Sequence, residues 1–212
     1  MMTKEQLMEK YKDEKVLCVS NHDLKNLKNP KKNPIRTLMK GIKKHGYFDY
    51  RYNAEIDYSA KQVIPYVVLK CGDEYFATKR LNGDSRLVGG MSIAVGGHIN
   101  PCDLVDESSL DYPKNVVDAC MVRELFEETT INFTNVCGKK YVTTFVDNSA
   151  DVSKVHVCLL VVIELKNKDI EIRETNKLEG VWLNEQQVLD LYDKFENWSK
   201  IAIDLLKIGM HE

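Results

Sequence analysis

The sequence has no long hydrophobic run, no closely spaced cysteine pair and almost no net charge, and each absence excludes a class of protein. Its longest apolar run, from Val157 to Ile163, is far too short to cross a bilayer, and the N-terminal stretch MMTKEQLMEKYKDEK has no apolar core of the signal-peptide type. The six cysteines are scattered without a CxxC pair, which favours reduced thiols over a disulfide framework. A net charge of −2 gives the chain no global attraction to nucleic acid or to an anionic membrane. We therefore expect a soluble, cytoplasmic protein.

The chain does have the length and composition of a globular protein. Its 212 residues, 43% hydrophobic and 29% charged, can bury a sizeable core and fit one domain with an extension, or two small domains. The first part of the chain differs in character from the rest. We therefore expect an N-terminal extension over residues 1–60, packed on a main domain over residues 61–212.

The extension carries a strongly basic segment. Eight Lys or Arg residues and two prolines lie between Lys25 and Lys44, after a short predicted strand from Val16 to Ser20. The prolines argue against a continuous helix until Ile35, where the sequence favours one. Such a segment either contacts phosphate or RNA or forms a solvated face. Because the interleaved aromatic residues of RNA-binding domains are missing, we expect the solvated face.

After residue 61 the pattern is typical of strands. The runs QVIPYVVLK and YFATKR flank a CGDE turn and predict a hairpin, and MSIAVGGHI predicts a strand that runs into Gly96 and Gly97. KKYVTTFVD, KVHVCLLVVIEL and LEGVWL predict further strands, and helical spacing covers residues 184–206, with Asn197 as an N-cap at a break. This order predicts an α/β fold with a mixed sheet and helices packed on it.

The stretch RELFEETT, from Arg123 to Thr130, crowds charges onto a predicted helix. At about 100° per residue, Glu124 and Glu128 lie nearly above one another, with Glu127 a little to one side. We expect the opposite face to be buried and to consist of the apolar residues Ala119, Val122, Leu125 and Phe126. Because glutamates four residues apart repel each other, they either form a solvated acidic face or hold a hard cation that offsets the repulsion.

In this context, after a strand that ends in two glycines and a loop, the sequence resembles the Nudix hydrolase family. The family's box reads Gly, five residues, Glu, seven residues, Arg-Glu-apolar-x-Glu-Glu-x-Gly-apolar, and the matching residues here are Gly97, Arg123, Glu124, Leu125, Glu127, Glu128 and Ile131. The stretch before the box is also similar to a larger branch of the family described as predicted phosphoesterases. Over residues 62–206 the predicted strands and helices follow the same order along the chain as in the family. It implies an α/β/α sandwich with a mixed sheet and the box helix packed against it.

Two positions depart from the family pattern. The spacing from Gly97 to Arg123 is stretched by about a dozen residues, which puts Asn115 where the family has its first box glutamate. Either that support is absent, or it is replaced by one of Asp103, Asp106, Glu107 and Asp118. Thr130 replaces the closing glycine, which normally takes the left-handed conformation, so we expect the helix to end differently.

The resemblance implies a metal-dependent hydrolase that cleaves the pyrophosphate bond of a nucleoside diphosphate linked to another group, by attack of water on phosphorus. It implies that Mg²⁺ or Mn²⁺ is held by Glu124, Glu127 and Glu128, together with the carbonyl of Gly96. Arg123 and Glu124 are the expected catalytic residues: Arg123 orients a glutamate, and Glu124 is one candidate for the general base. Later acids stay candidates for the base: Glu164, Glu171, Glu174 and Glu179.

Substrate contacts are expected from Arg80 and Arg86, which flank the expected cleft, from Gly97, and from His98, which is otherwise a packed residue of the fold. Tyr66, Phe76 and Trp182 are either core or a stacking surface, and His156 is expected to be packed in its strand. The expected partner is a nucleotide-derived small molecule, with no membrane or nucleic acid, and the family resemblance allows a homodimer. The altered first acid and the insertion motivate an alternative, a non-catalytic module that binds a nucleotide or an ADP-ribose-like ligand. An isomerase with this fold is a third option.

Overall fold

The computed structural model describes residues 2–27, 29, 31–81, 89–104, 106, 108, 111–149, 153–173 and 175–209. The chain divides into two compact units. The first comprises residues 1–65, 97–123 and 141–159, and the second comprises residues 66–96, 124–140 and 160–212. The predicted boundary after residue 60 stays a prediction. Over the ranges described, no helix combines the length and the apolar character needed to cross a membrane.

The chain contains both helices and strands, and the predicted α/β class is confirmed. The helices are α1 (Lys4–Tyr11), α2 (Asn21–Leu24), α3 (Pro34–His45), α4 (Arg51–Ala54), α5 (Tyr112–Glu128), α6 (Glu185–Asp190) and α7 (Asn197–Leu206). The strands are β1 (Lys15–Ser20), β2 (Tyr47–Tyr50), β3 (Ala60–Cys71), β4 (Glu74–Arg80), β5 (Met91–Ser92), β6 (Ala94–Gly96), β7 (Val136–Phe145), β8 (His156–Leu165) and β9 (Leu178–Asn184).

The first unit contains β1, whose residues 16–19 are all buried, as expected for a short continuous apolar run. This strand pairs antiparallel with β2 and with the beginning of β3. Helix α3 starts where the side chain of Asn33 accepts a hydrogen bond from a first-turn N–H and Pro34 takes the first helical position. It packs on β1 so closely that a Cβ on Gly41 would lie 3.0 Å from Cγ1 of Val19.

The second unit is organised by the hairpin of β3 and β4. Gly72, with φ of 58°, makes the predicted turn in the left-handed region that glycine favours. β4 pairs antiparallel with β9 over seven residues and also with β5, while the second part of β3 pairs with β6. Ser199 ties α7 to these strands, because its Oγ accepts the N–H of Ile93 at 3.1 Å and lies 2.8 Å from Oη of Tyr66.

Some predicted elements differ in detail from the structure. The single strand predicted for MSIAVGGHI is two short strands, because the N–H of Ile93 bonds to Ser199 between them. Asn197 is the first residue of α7 rather than its N-cap, which is Glu196. Helix α1 was not predicted, although Thr3 and Gln6 form a capping box at its start, a signal that the sequence does contain.

Candidate functional site

The three box glutamates lie in the last two turns of α5. Glu124 and Glu128 are partly buried and Glu127 is exposed. The buried apolar residues of this helix include Val116, Val117, Cys120, Met121 and Leu125. Glu124 follows Cys120 by four residues and Glu128 follows Met121 by seven, spacings that place both carboxylates on the buried side of the helix.

The predicted apolar face of this helix is therefore wrong for two of its residues. Phe126 is 58% exposed and Val122 is 49% exposed, whereas Leu125 is fully buried. Phe126 is covered instead by the guanidinium of Arg173, whose central carbon lies 4.8 Å from the ring centroid. The prediction was wrong because Glu124 and Glu128, which were expected on the solvent side, lie on the buried side of the helix.

The helix ends without the left-handed residue that the family pattern expects. Among the described non-glycine residues, positive φ occurs at Lys12 and Lys207, so Thr130 does not adopt that conformation. Instead, the N–H of Thr130 donates to the carbonyl of Glu171, and the N–H of Arg173 donates to the carbonyl of Glu128. A neighbouring segment thus satisfies the helix end. The expectation that threonine would change the C-terminus is confirmed.

Arg123 is anchored by a buried carboxylate that the sequence offered only as one of four candidates. Its Nε lies 2.8 Å from Oδ1 of Asp103, and its Nη2 lies 2.9 Å from Oδ2, a two-pronged ion pair. The side chain of Asp103 is 3% exposed and also accepts the N–H of Asn100. Nη2 of Arg123 donates in addition to the carbonyl of His98, at 2.8 Å.

Asp103 therefore supplies the arginine support that the box lacks at Asn115. The other candidates have different surroundings. Asp118 accepts a hydrogen bond from Tyr141 and pairs with Lys114, Asp106 accepts bonds from Ser108, and Glu107 lies outside the described residues. A local signal for Asp103 is present in the stretch NPCD, where Asn100 and Asp103 form a capping box around a proline.

His98, next to the two glycines, faces a second histidine. Its Nε2 lies 3.2 Å from Nε2 of His156, which is 6% exposed, as expected for a packed strand residue. Burial lowers the pKa of His98 well below its usual range, and the charges of Arg51, His156 and Arg123 lower it further. His98 is therefore a neutral imidazole at neutral pH.

The remaining predicted substrate residues, Arg80, Gly97 and Arg86, differ in their surroundings. Arg80 donates from Nε to Oε1 of Glu196 at 2.6 Å. That hydrogen bond raises the pKa of Arg80, and the negative charges of Glu196 and, more weakly, Glu128 raise it further. Arg80 therefore lies within electrostatic reach of Glu128, one of the box carboxylates. Gly96 ends β6, and Gly97 follows it, partly buried. Arg86 lies outside the described residues.

Of the aromatic residues with two open interpretations, Tyr66 and Phe76 are buried and belong to the core. Trp182 is partly buried, and its ring centroid is 5.4 Å from that of Phe76. Phe76 and Trp182 line a cleft of about 440 Å³ in the second unit. Glu171 and Glu179, two candidates for the general base, line the same cleft. Glu164 is exposed on β8, and Glu174 lies outside the described residues.

The donor set on α5 fits a hard divalent cation. Glu124 and Glu128 are like charges four residues apart and both partly buried, which makes their repulsion costlier than in an exposed helix. Carboxylate oxygens are the ligands that Mg²⁺ and Mn²⁺ prefer. A cation at these residues would offset the repulsion.

An α/β fold and a helix that ends in Arg-Glu-apolar-x-Glu-Glu define the class of protein. Residues 67–206 match the NUDIX domain, and the chain belongs to this family. It is 33% identical over 162 residues to Protein YmaB of Bacillus subtilis (strain 168), a match that covers 74% of this chain and 76% of that protein.

Two solved structures extend the comparison. The crystal structure of Tm1382 has a TM-score of 0.75 at 23% identity, over 93% of this chain and 100% of that chain. The Nudix domain of Shewanella oneidensis NrtR, crystallised with ADP ribose, has a TM-score of 0.50 at 14% identity, over 71% of this chain and 89% of that chain. At these identities, the two structures support the fold alone.

Proposed function

We propose that this Nudix protein is a metal-dependent hydrolase that cleaves the pyrophosphate bond of a nucleoside diphosphate linked to another group. The observation that carries the proposal is the ion pair between Arg123 and the buried Asp103, directly before the three box glutamates. This pair anchors the box arginine through a carboxylate that comes from another position in the sequence, and it therefore supports a working metal site at the box.

Each residue has a proposed role. Glu124, Glu127 and Glu128, with the carbonyl of Gly96, would hold Mg²⁺ or Mn²⁺, which when bound offsets negative charge on the phosphoryl group and lowers the pKa of a water molecule. Arg123 fixes both the start of the acidic stretch and the loop at His98, because it bonds to Asp103 and to the His98 carbonyl. Glu124 is our first candidate for the general base, and Glu171 and Glu179 are alternatives on the wall of a cleft.

The proposed substrate contacts divide into charged and neutral groups. Arg80 and Arg86 offer positive charge to the diphosphate. Gly97 lets the substrate come close to the backbone, and His98, as a neutral imidazole, offers a hydrogen bond rather than a charge. A nucleotide-derived ligand is further favoured by the ADP ribose in the Nudix domain of NrtR.

The same relative keeps the binding module as a second candidate, because a Nudix domain with a bound ADP ribose illustrates what such a module would hold. The altered first acid and the insertion are the sequence features in its favour. Asp103 weakens the first of them, because it supplies a carboxylate to Arg123 from another position. We therefore place hydrolysis first.

The decisive experiment is to incubate the protein with Mg²⁺ or Mn²⁺ and a panel of dinucleotides, nucleotide sugars and nucleoside triphosphates, and to measure release of nucleotide and phosphate. We expect turnover of at least one nucleoside diphosphate derivative. Glu127→Gln and Glu128→Gln should each reduce kcat by about 100-fold or more with little change in unfolding temperature. Tight binding of a panel member without metal, and no turnover of any, would favour the binding module.

A further inference from the structure

A second group of potential metal ligands lies in the first unit. Unlike the box, which offers carboxylates, this group includes two histidines. Glu55 follows α4, His98 follows β6 and His156 begins β8. One carboxylate oxygen and one nitrogen from each imidazole lie within 4.8 Å of one another. Residues far apart in the sequence thus bring two nitrogens and one oxygen to one point.

The spacing of the two imidazoles suits a shared metal ion. The Nε2 atoms of His98 and His156 are 3.2 Å apart, with the rings inclined at 67°. Two nitrogens bound to one tetrahedral zinc at about 2.05 Å each are separated by about 3.3 Å. The two histidines therefore already have the separation that such an ion requires, and the ion would replace the hydrogen bond between the two rings.

Glu55 supplies the third donor with few competing interactions. Within the described part of the chain, its carboxylate makes one long contact, 3.4 Å from Nε of Arg51. Arg51 is held mainly by both oxygens of Glu14, at 3.0 and 3.1 Å from its Nη1. A partly buried carboxylate with four lone-pair directions and one long contact has unused capacity to bind a cation.

The charges around the cluster also admit a dication. Arg51 and Arg123 lie within electrostatic reach of His98, and both would repel a metal ion if unpaired. Each has a carboxylate of its own, because Glu14 holds Arg51 and Asp103 holds Arg123. Glu55 shares Arg51 with Glu14 through its 3.4 Å contact, and the rest of its negative charge is available to balance the ion.

We propose that Glu55, His98 and His156 form a binding site for a late first-row divalent metal ion of the Zn²⁺ class. Imidazole nitrogens favour zinc, nickel, copper and iron over magnesium, so this site differs in preference from the carboxylates on α5. Three protein ligands leave a coordination position for water. Because the His98 carbonyl accepts a bond from Arg123, a bound ion would hold the loop that contacts the box arginine. The site does not depend on the proposed hydrolase activity.

The test uses Co²⁺ as a spectroscopic probe of the metal-depleted full-length protein. The Glu127→Gln and Glu128→Gln substitutions are present together in all samples, so that the box carboxylates contribute little. We expect one Co²⁺ per chain, with the visible absorption bands of a four- or five-coordinate nitrogen-containing site, displaced by Zn²⁺ and unaffected by millimolar Mg²⁺. His98→Ala, His156→Ala and Glu55→Gln should each weaken the affinity at least tenfold.

A matched control is available in His45, whose Nδ1 lies 3.1 Å from Oδ1 of Asp23 in another histidine and carboxylate pair. His45→Ala should bind Co²⁺ as the parent does. Because His156 is buried, its variant is interpreted only if its unfolding temperature and circular dichroism match the parent; the partly exposed Glu55→Gln gives the same answer without that risk. Absence of saturable binding in the parent overturns the proposal. Binding that survives in both His98→Ala and Glu55→Gln overturns it equally.

Discussion

Asp103→Asn tests most directly whether Asp103 replaces the first box glutamate as the partner of Arg123. It keeps the shape of the side chain and removes the charge from a two-pronged pair in which Asp103 is 3% exposed and Arg123 is 22% exposed. Removing one partner of a fully buried pair costs about 3 to 5 kcal/mol. Because Arg123 retains some contact with water, we expect a loss of about 2 to 4 kcal/mol in the free energy of unfolding.

The loss should be measurable by heat and by denaturant. For a chain of this length, each kcal/mol lowers Tm by about 2 to 4 °C, so we expect a fall in Tm of roughly 4 to 16 °C. Activity should fall as well, because Arg123 precedes Glu124 and a displacement of about 1 Å in a catalytic group can cost about 100-fold in rate. We expect the fall in kcat rather than in KM, since Asp103 positions residues and does not bind substrate.

Asp106→Asn is the matched control for this prediction. Asp106 is exposed and lies three residues along the same loop, and it was an equal candidate for the missing acid on sequence grounds. Its substitution should change stability by less than about 0.5 kcal/mol. If Asp103→Asn and Asp106→Asn had the same Tm and the same kcat, Asp103 would not be the replacement for the box glutamate.

Two further predictions follow from burial. Leu125→Ala should cost about 2 to 5 kcal/mol, whereas Phe126→Ser should cost less than about 1 kcal/mol because Phe126 is mostly exposed; equal losses in urea unfolding would contradict the observed helix face. Burial, helped by Asp49 and Asp57, raises the pKa of Cys18 to about 12, so this thiol stays protonated at pH 8. Iodoacetamide should therefore label the exposed Cys102 and Cys137 first, as followed by mass spectrometry, and equally fast labelling of Cys18 would contradict its burial.

Local patterns predicted much of the fold. The hairpin of β3 and β4, the apolar strand β8 and the helices α3 and α5 follow from spacing and turn chemistry within short windows of sequence. The box glutamates were accessible in the same way, since Glu124, Glu127 and Glu128 occupy one short helical stretch. Each of these features depends on residues that are close together in the chain.

Features that depend on distant residues were not predictable in this way. The partner of Arg123 is twenty positions earlier, and spacing alone could not choose Asp103 over Asp118. The group of Glu55, His98 and His156 comes from three separate segments, so a local sequence motif could not predict it. The buried side of α5 carries Glu124 and Glu128 rather than Phe126, and the pattern of the helix alone did not indicate this. Tertiary contacts decided all three cases.

The position of the acids on α5 changes the balance between the two interpretations that the sequence left open. A solvated acidic face requires exposed carboxylates, and this describes Glu127 alone. Glu124 and Glu128 continue the stripe of Cys120 and Leu125 and are partly removed from water, where two like charges repel more strongly than on an open surface. Repulsion of that kind is reduced by a nearby cation, and Arg80, which lies within electrostatic reach of Glu128, is one such group. The burial of these two side chains therefore argues against a purely solvated acidic face more strongly than the number of glutamates does.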